Sequence, residues 1–400
     1  MLEFSAVPAP STSPAPPAES AGEGNTVQTT IGRGARRTAL VWCSNVEPAG
    51  GMERVALSVA NGLVEQGWHV LLVGPFSRVP FLRKAIRPEI EFIDHQIQRS
   101  PSGMFQTARC LNRIIRERRV QVVSAHGSVF PLLFTGTPVV WTEHDVRYAG
   151  GEMLRGFRGV AWRRIRRLVE DGSWRLVTVS RHVQREICQK LDLAEDHATV
   201  IYNGLPNAGA LHSLPAPRFE PPYRIGFLGR LVPPKRPFEV LELSSRLNAM
   251  GIPHVWKVFG DGVLLPAMRK KALHTPGHSV EFCGVVERPE EAFRELDLLC
   301  FHARGEQEGL GMVLVEALAA NRPVVAWDAG CIREVLTGRG TLVPPPFSLA
   351  RFAATIAGTL LGGAPPRQPD DRWSEARMMA QYDEILRDSI RRTARIIQND

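Results

Sequence analysis

Residues 308–326 read Glu308-Gly309-Leu310-Gly311-Met312-Val313-Leu314-Val315-Glu316-Ala317-Leu318-Ala319-Ala320-Asn321-Arg322-Pro323-Val324-Val325-Ala326. Two carboxylates stand here around a glycine-flanked helix start. Glycines at 309 and 311 let the backbone approach a ligand closely, and the helix that follows aims its first N–H groups and the positive end of its dipole at it. Glu316 falls within the first two turns of that helix. An ionised Glu only accepts hydrogen bonds, so this carboxylate suits a polyol, and the N–H groups suit a phosphate or sugar oxygen. A sugar nucleotide offers all of these partners. Spacing alone is weak: Glu287 and Glu295 are also eight apart, yet the residues between them hold no glycine and read as a solvated helix face. The distinguishing context of 308/316 is an apolar strand before it, Leu298 to Phe301, and another after it, Pro323 to Ala326.

Outward from this stretch, short apolar runs alternate with amphipathic ones, the sign of a parallel sheet wrapped by helices. The pattern occurs twice. The first series predicts strands near 38–43, 68–73, 120–124, 138–142 and 175–179, with helices near 52–66, 104–117, 154–170 and 181–191. After the Pro-rich linker Leu214 to Pro222, strands are expected near 223–228, 254–259, 279–283, 298–301 and 323–326. A loose segment at 362–372 precedes a last helical run over 374–396. The fold class is therefore α/β, with two Rossmann-like domains facing an interdomain cleft. Residues 1–37, rich in Pro, Ala and Ser, bury too little surface to offset ordering entropy and are expected to be a disordered tail.

At 400 residues, 44% apolar and 22% charged, the chain fits a two-domain globular enzyme. Six cysteines at 43, 110, 188, 283, 300 and 331 show no C-x-x-C spacing and read as buried free thiols. No secretory signal opens the sequence and no apolar run reaches the length of a membrane span, so a cytoplasmic protein is expected. The net charge of +8 favours anionic partners. A basic nucleic-acid-binding protein is the rival class, but zinc ligands and stacking aromatics are missing, and no nucleic-acid partner is expected.

Four further motifs sit at strand ends, where ligand sites of α/β sheets form. Gly226-Phe227-Leu228-Gly229-Arg230-Leu231-Val232-Pro233-Pro234-Lys235 follows the first strand of the second series. Ala49-Gly50-Gly51-Met52-Glu53-Arg54 follows the first strand of the first series, and Thr142-Glu143-His144-Asp145 ends a later one. Gly330-Cys331-Ile332-Arg333-Glu334 lies near a loop reading Gly340-Thr341-Leu342-Val343-Pro344-Pro345. Together with Glu308 and Glu316 these motifs resemble family 4 retaining glycosyltransferases of the GT-B fold.

The resemblance runs from about Thr38 to the end and is most specific over 226–345. It implies a first Rossmann-like domain over 38–215 for the acceptor, a second over 216–362 for the donor nucleotide, and a helical segment over 363–400 that crosses back onto the first. It also implies roles for named residues. Glu308 and His144 would be catalytic, facing the transferred sugar, and Glu316 would bind the donor ribose. Arg230 and Lys235, with Gly50 and Gly51, would hold the donor diphosphate, and backbone at Gly260, Val285, Gly309, Leu310 and Gly311 would meet sugar and base. Two fixed cations stabilise a leaving diphosphate without a metal, and no Asp-x-Asp pair occurs in the sequence, so a metal-independent site with no resident cofactor is expected. The donor would be a UDP- or GDP-linked sugar. Two departures stand out: Asn321 replaces a usual Gly, and His302-Ala303-Arg304-Gly305 replaces a usual Pro-Ser approach.

Leu154, Phe157, Ala161, Ile165 and Leu168 form a helical stripe flanked by Arg155, Arg158, Arg163, Arg164, Arg166 and Arg167, with Trp162 beside it. The stripe is expected to pack on the first sheet, while the arginines attract anionic lipid headgroups. The acceptor is accordingly expected to be a saccharide or lipid-linked one of cell-envelope assembly, on the inner face of the membrane. A soluble natural-product acceptor is the alternative.

Overall fold

The computed structural model describes residues 36–45, 50–97, 100–146, 156–206, 208–305, 308–363 and 371–399. Most of the expected tail over 1–37 lies outside them. In the first half the described strands are β1 (Thr38–Cys43), β2 (His69–Gly74), β3 (Glu91–Asp94), β4 (Val122–His126), β5 (Val139–Glu143), β6 (Trp174–Thr178) and β7 (Ala198–Val200). They pair in parallel in the order β3-β2-β1-β4-β5-β6-β7. In the second half β8 (Tyr223–Leu228), β9 (His254–Phe259), β10 (Val280–Gly284), β11 (Leu298–Phe301), β12 (Val324–Trp327) and β13 (Thr341–Val343) pair in parallel as β10-β9-β8-β11-β12-β13. Both sheets thus reverse direction of growth beside their first strand, between β1 and β4 and between β8 and β11. In open parallel sheets a crevice opens at that switch point, outside the carboxyl ends of the strands.

The strands are apolar on both faces because both faces are covered. Ala39 and Val41 point to one core with the helix Gly51–Glu65, and Leu40 and Trp42 point to the other, under the helices Pro101–Glu117, Gly156–Glu170 and Arg181–Leu191. The second sheet does the same: Leu299, Val324 and Ala326 face one core, and Leu298, Cys300 and Val325 the other.

Several expectations shift. β3, β7 and β13 are short strands, four, three and three residues long, whose polar or edge character hid them from the periodicity. β4 begins at Val122 rather than 120. Leu211 of the helix Ala208–His212, and Leu214 after it, bury in a core that joins Val179 and Val183 of the first half to Leu299 and Leu314 of the second. Not all the cysteines are buried: Cys283 is exposed and Cys110 partly so, although all six are free thiols. Leu154 and Arg155 lie outside the described residues. Trp162 is buried, edge-on to Phe130 at 5.2 Å and tilted to Trp141 at 6.0 Å. Ile165 is buried with it, so the stripe packs inward.

The helix Glu375–Asn399 returns to the first sheet and completes one of its cores with Met378, Met379, Tyr382 and Leu386. Polar ties reinforce it: Tyr382 Oη lies 3.0 Å from Thr142 Oγ1 on β5, Trp68 Nε1 donates to Asp383 at 2.7 Å, and Arg175 pairs with Asp388 at 3.2 Å. Among the described residues no helix is long and apolar enough to cross a membrane. Leu386 is fully buried in this returning helix, so Leu386→Ala is expected to destabilise the chain by about 2–4 kcal/mol. Urea unfolding followed by circular dichroism checks this, and an unchanged midpoint would mean that the helix contributes no core.

Candidate active site

Between the two switch points lies a cavity of about 500 Å³ lined by both domains. From the first domain come Asn45, the segment Gly50 to Arg54, His144, Asp145 and Asn203; from the second come Gly229, Arg230, Lys235, Gly260, Val285 and the run from Glu308 to Val313 with Glu316. Every residue singled out above for chemistry lines this one space: His144, Glu308, Arg230, Lys235, Gly50, Gly51, Glu316, Gly260, Val285, Gly309, Leu310 and Gly311. Residues more than 250 positions apart in sequence meet here because the segments that follow the carboxyl ends of the strands converge.

The stretch over 308–326 folds as its glycines dictate. Gly311 precedes the helix Met312–Ala319 with φ +76, a left-handed conformation that side chains rarely adopt. At Gly309 a Cβ would come within 1.7 Å of the His144 carbonyl oxygen, so only glycine fits where the second-domain loop crosses the first domain. Asn321 takes φ +50 just past the helix, doing there what glycine would do. Its neighbour Arg322 is buried and donates to the carbonyls of Phe293 and Ala320, both at 2.9 Å, locking the turn into β12.

Glu308 is almost fully buried and forms an ion pair with Lys235, whose ammonium also lies 5.4 Å from the Phe301 ring centroid. The pairing answers a physical need, because a buried carboxylate without a partner is costly. Glu316 faces the cavity from the helix and burial raises its carboxyl to about 7; Glu290 adds to the rise and Arg54 opposes it. His144 Nε2 lies 2.9 Å from Nδ1 of His126, and His126 Nε2 lies 3.2 Å from Ser124 Oγ. Burial lowers His126 well below its ordinary value, with His144 adding to the fall, and burial lowers His144 to about 4, with Asp145 opposing. Both imidazoles are therefore neutral near pH 7. A neutral, hydrogen-bonded His144 can exchange hydrogen bonds with a sugar hydroxyl without adding charge.

Family comparison bears on the same residues. Residues 49–207 match the description Glycosyltransferase Family 4, and residues 222–361 match Glycosyl transferases group 1. The chain belongs to glycosyltransferase family 4. This glycosyltransferase is similar to the O-antigen biosynthesis glycosyltransferase WbnH of Escherichia coli, 24% identical over 247 residues that cover 60% of this chain and 68% of that one. It is also similar to a phosphatidyl-myo-inositol mannosyltransferase of Mycobacterium leprae (strain TN), 35% identical over 175 residues, 40% of this chain and 44% of that one. Among solved structures WaaG, a glycosyltransferase involved in lipopolysaccharide biosynthesis, matches with a TM-score of 0.61 at 17% identity, covering 91% of this chain and 100% of that one. Two parallel α/β sheets facing one cleft are the GT-B arrangement.

Four residues at or beside this cavity were given no role above. His126 ends β4 and supports His144, but a lone His in an apolar strand gives no signal until its neighbour is known. Arg54 lines the cavity and faces Glu316; it sits one turn after Gly51, a spacing that would have found it. Glu53 is buried and its carboxylate folds back over Gly50, at the helix start expected to face phosphate. Asn203 is buried and lines the cavity. Conversely, His302 does not line the cavity. It is buried 5.5 Å from both the Trp256 and Phe352 rings, and burial lowers it to about 3. Among the described residues no group of three or more His, Cys, Asp or Glu could hold a metal ion.

Glu316 yields a pH prediction. Its folded carboxyl titrates at about 7, above the ordinary 4.5, so the folded chain holds the proton more tightly than the unfolded one and its stability falls as pH rises from about 4.5 through about 7. Glu316→Gln removes that dependence. Urea unfolding of both proteins from pH 4.5 to 8 should show the native chain losing ground to the variant across the window, and parallel curves would overturn the assignment.

Proposed function

We propose that this glycosyltransferase moves a sugar, with retention of configuration and without a metal, from a UDP- or GDP-linked donor to a saccharide or lipid-linked acceptor of the cell envelope. The observation that carries this reading is the convergence of two cations, Arg230 and Lys235, with two carboxylates, Glu308 and Glu316, and with His144 around one cavity. Glu316 would accept from the ribose hydroxyls in its ionised form. Arg230 and Lys235 would take the charge that grows on the departing diphosphate. As the diphosphate draws on Lys235, Glu308 is released toward the donor sugar. His144, across the cleft, would orient the sugar hydroxyls, and a donor phosphate oxygen would take the acceptor proton on the face the diphosphate leaves. WbnH, the phosphatidyl-myo-inositol mannosyltransferase and WaaG are described by envelope polysaccharides or lipids, which supports an acceptor of that class.

The outer face of the first domain supports a membrane-proximal acceptor. Phe134 is 71% exposed, with Phe105 at 64% and Val160 at 56%. Phe105 and Val160 stand near the starts of the helices Pro101–Glu117 and Gly156–Glu170, which leave the carboxyl edge of the first sheet on which the cavity opens. Arg163, Arg164 and Arg167 are exposed on the second of these helices, and the Arg164 guanidinium lies 5.7 Å from the Phe134 ring centroid. Arg166 instead pairs with Glu170 at 3.0 Å and Asp192 at 2.7 Å, so it leaves the basic set. The exposed phenylalanines would serve as apolar anchors.

The donor reading is tested by nucleotide release from a panel of UDP- and GDP-sugars in the presence of EDTA. Turnover should persist under chelation; Glu316→Ala should weaken nucleotide binding and Glu308→Ala should chiefly lower kcat, each by about 1.5–3 kcal/mol. Normal binding and turnover in both variants would sink the site, and rescue only by Mg²⁺ or Mn²⁺ would sink its metal independence. The membrane reading is tested with anionic vesicles. Each exposed Arg near such a surface contributes on the order of 1 kcal/mol, so the native chain should pellet at low salt, the combined Arg163→Gln, Arg164→Gln, Arg167→Gln, Phe134→Ser variant should not, and high salt should release the native chain. A native chain that stays in the supernatant at low salt would favour a soluble acceptor.

A further inference from the structure

The second domain holds the first at a place other than the donor loop. Glu334, on the short second-domain helix Gly330–Leu336, sends its carboxylate to the start of the first-domain helix Arg181–Leu191. There Oε1 accepts from the Arg181 N–H at 3.0 Å and Oε2 from the His182 N–H at 3.1 Å. Oε1 also accepts from the Tyr202 hydroxyl at 2.7 Å. Backbone N–H groups in the first turn of a helix have no partner within it, and the helix dipole is positive there, so a carboxylate is the group that suits the position.

Two partners of Glu334, Arg181 and Tyr202, adjoin residues that meet the cavity or its loop. Ser180, the residue before Arg181, caps the helix through the Val183 N–H at 3.1 Å and donates its hydroxyl to the Gly309 carbonyl at 2.6 Å. Asn203, the residue after Tyr202, lines the cavity. Glu334 itself does not line it. We propose that Glu334 is a positioning residue that fixes the register of the two domains, so that the Glu308–Gly311 loop meets His144 and Asn203 at the spacing the transfer needs. The carboxylate's form matters. Three donors converge on two oxygens, whereas an amide offers one acceptor oxygen and turns its NH₂ toward the remaining donors. The kinetic part of this inference rests on the glycosyltransferase reading above; the structural part rests on the contacts alone.

Glu334→Gln and the milder Tyr202→Phe test it, each compared with the native chain in three measurements: hydrogen exchange of the 180–184 amides, binding of UDP and of GDP by calorimetry, and donor kinetics. Glu334→Gln should speed exchange at Arg181 and His182 and lower kcat about tenfold or more while leaving nucleotide affinity within about twofold, since the nucleotide is held by other residues. Tyr202→Phe keeps both backbone bonds and should fall between Glu334→Gln and native. Unchanged exchange and kcat in Glu334→Gln would overturn the proposal. A nucleotide affinity that falls in step with kcat would overturn it too, by making Glu334 part of the donor site. Should the native chain release no nucleotide from any donor, the glycosyltransferase reading fails by itself, and the exchange of the 180–184 amides still decides the clamp: faster exchange upholds it and unchanged exchange overturns it.

Discussion

The site depends on one backbone crossing, that of Gly309 over the carbonyl of His144. A side chain at 309 would collide with that oxygen, and the collision would push the donor loop away from the first domain. Because the crossing is close, Glu308 on one side of the glycine and Leu310 and Gly311 on the other are set against His144 without any long side chain spanning the gap. The Ser180 hydroxyl, bonded to the Gly309 carbonyl at 2.6 Å, satisfies the backbone group that the crossing would otherwise strand. Catalysis across two domains needs this kind of short contact, since a displacement of about 1 Å in the reacting groups lowers rates steeply.

The electrostatics of the cavity follow from the burial of its titratable side chains. Carboxylates and imidazoles are drawn toward their neutral forms there: Glu316 rises to about 7 and His144 falls to about 4. Glu308 is paired with Lys235.

Two chain exchanges explain why the described residues from 36 onward cluster as one compact body even though they build two sheets. The helix Ala208–His212 gives Leu211 to the second-domain core, and Leu205 meets Ser374 in an isolated bridge. The helix Glu375–Asn399 gives Met378, Tyr382 and Leu386 to the first. Each exchange ties one domain to the other by buried apolar surface, and the Thr142–Tyr382 bond runs beside the strand that delivers His144.

Much of this protein was legible without coordinates. The two series of apolar runs predicted the parallel sheets, and the glycine-flanked carboxylates of 308–316 marked the cavity, because strand periodicity and helix-start chemistry act within a few residues of the chain. The strands at Tyr223–Leu228, His254–Phe259 and Leu298–Phe301 fall where they were expected. What local pattern does not carry is partnership. Nothing near His126 announces that it will support His144, nothing near Glu334 announces a clamp on a helix far off in sequence, and nothing near Trp162 announces that it packs on Trp141. Likewise Lys235 was legible as a cation, but its pairing with Glu308 required the two loops to be folded onto one another. Residue type and spacing determined which chemistry is present; the meeting of strand ends from separate sheets decided which groups touch, and burial at that meeting decided which of them carry charge.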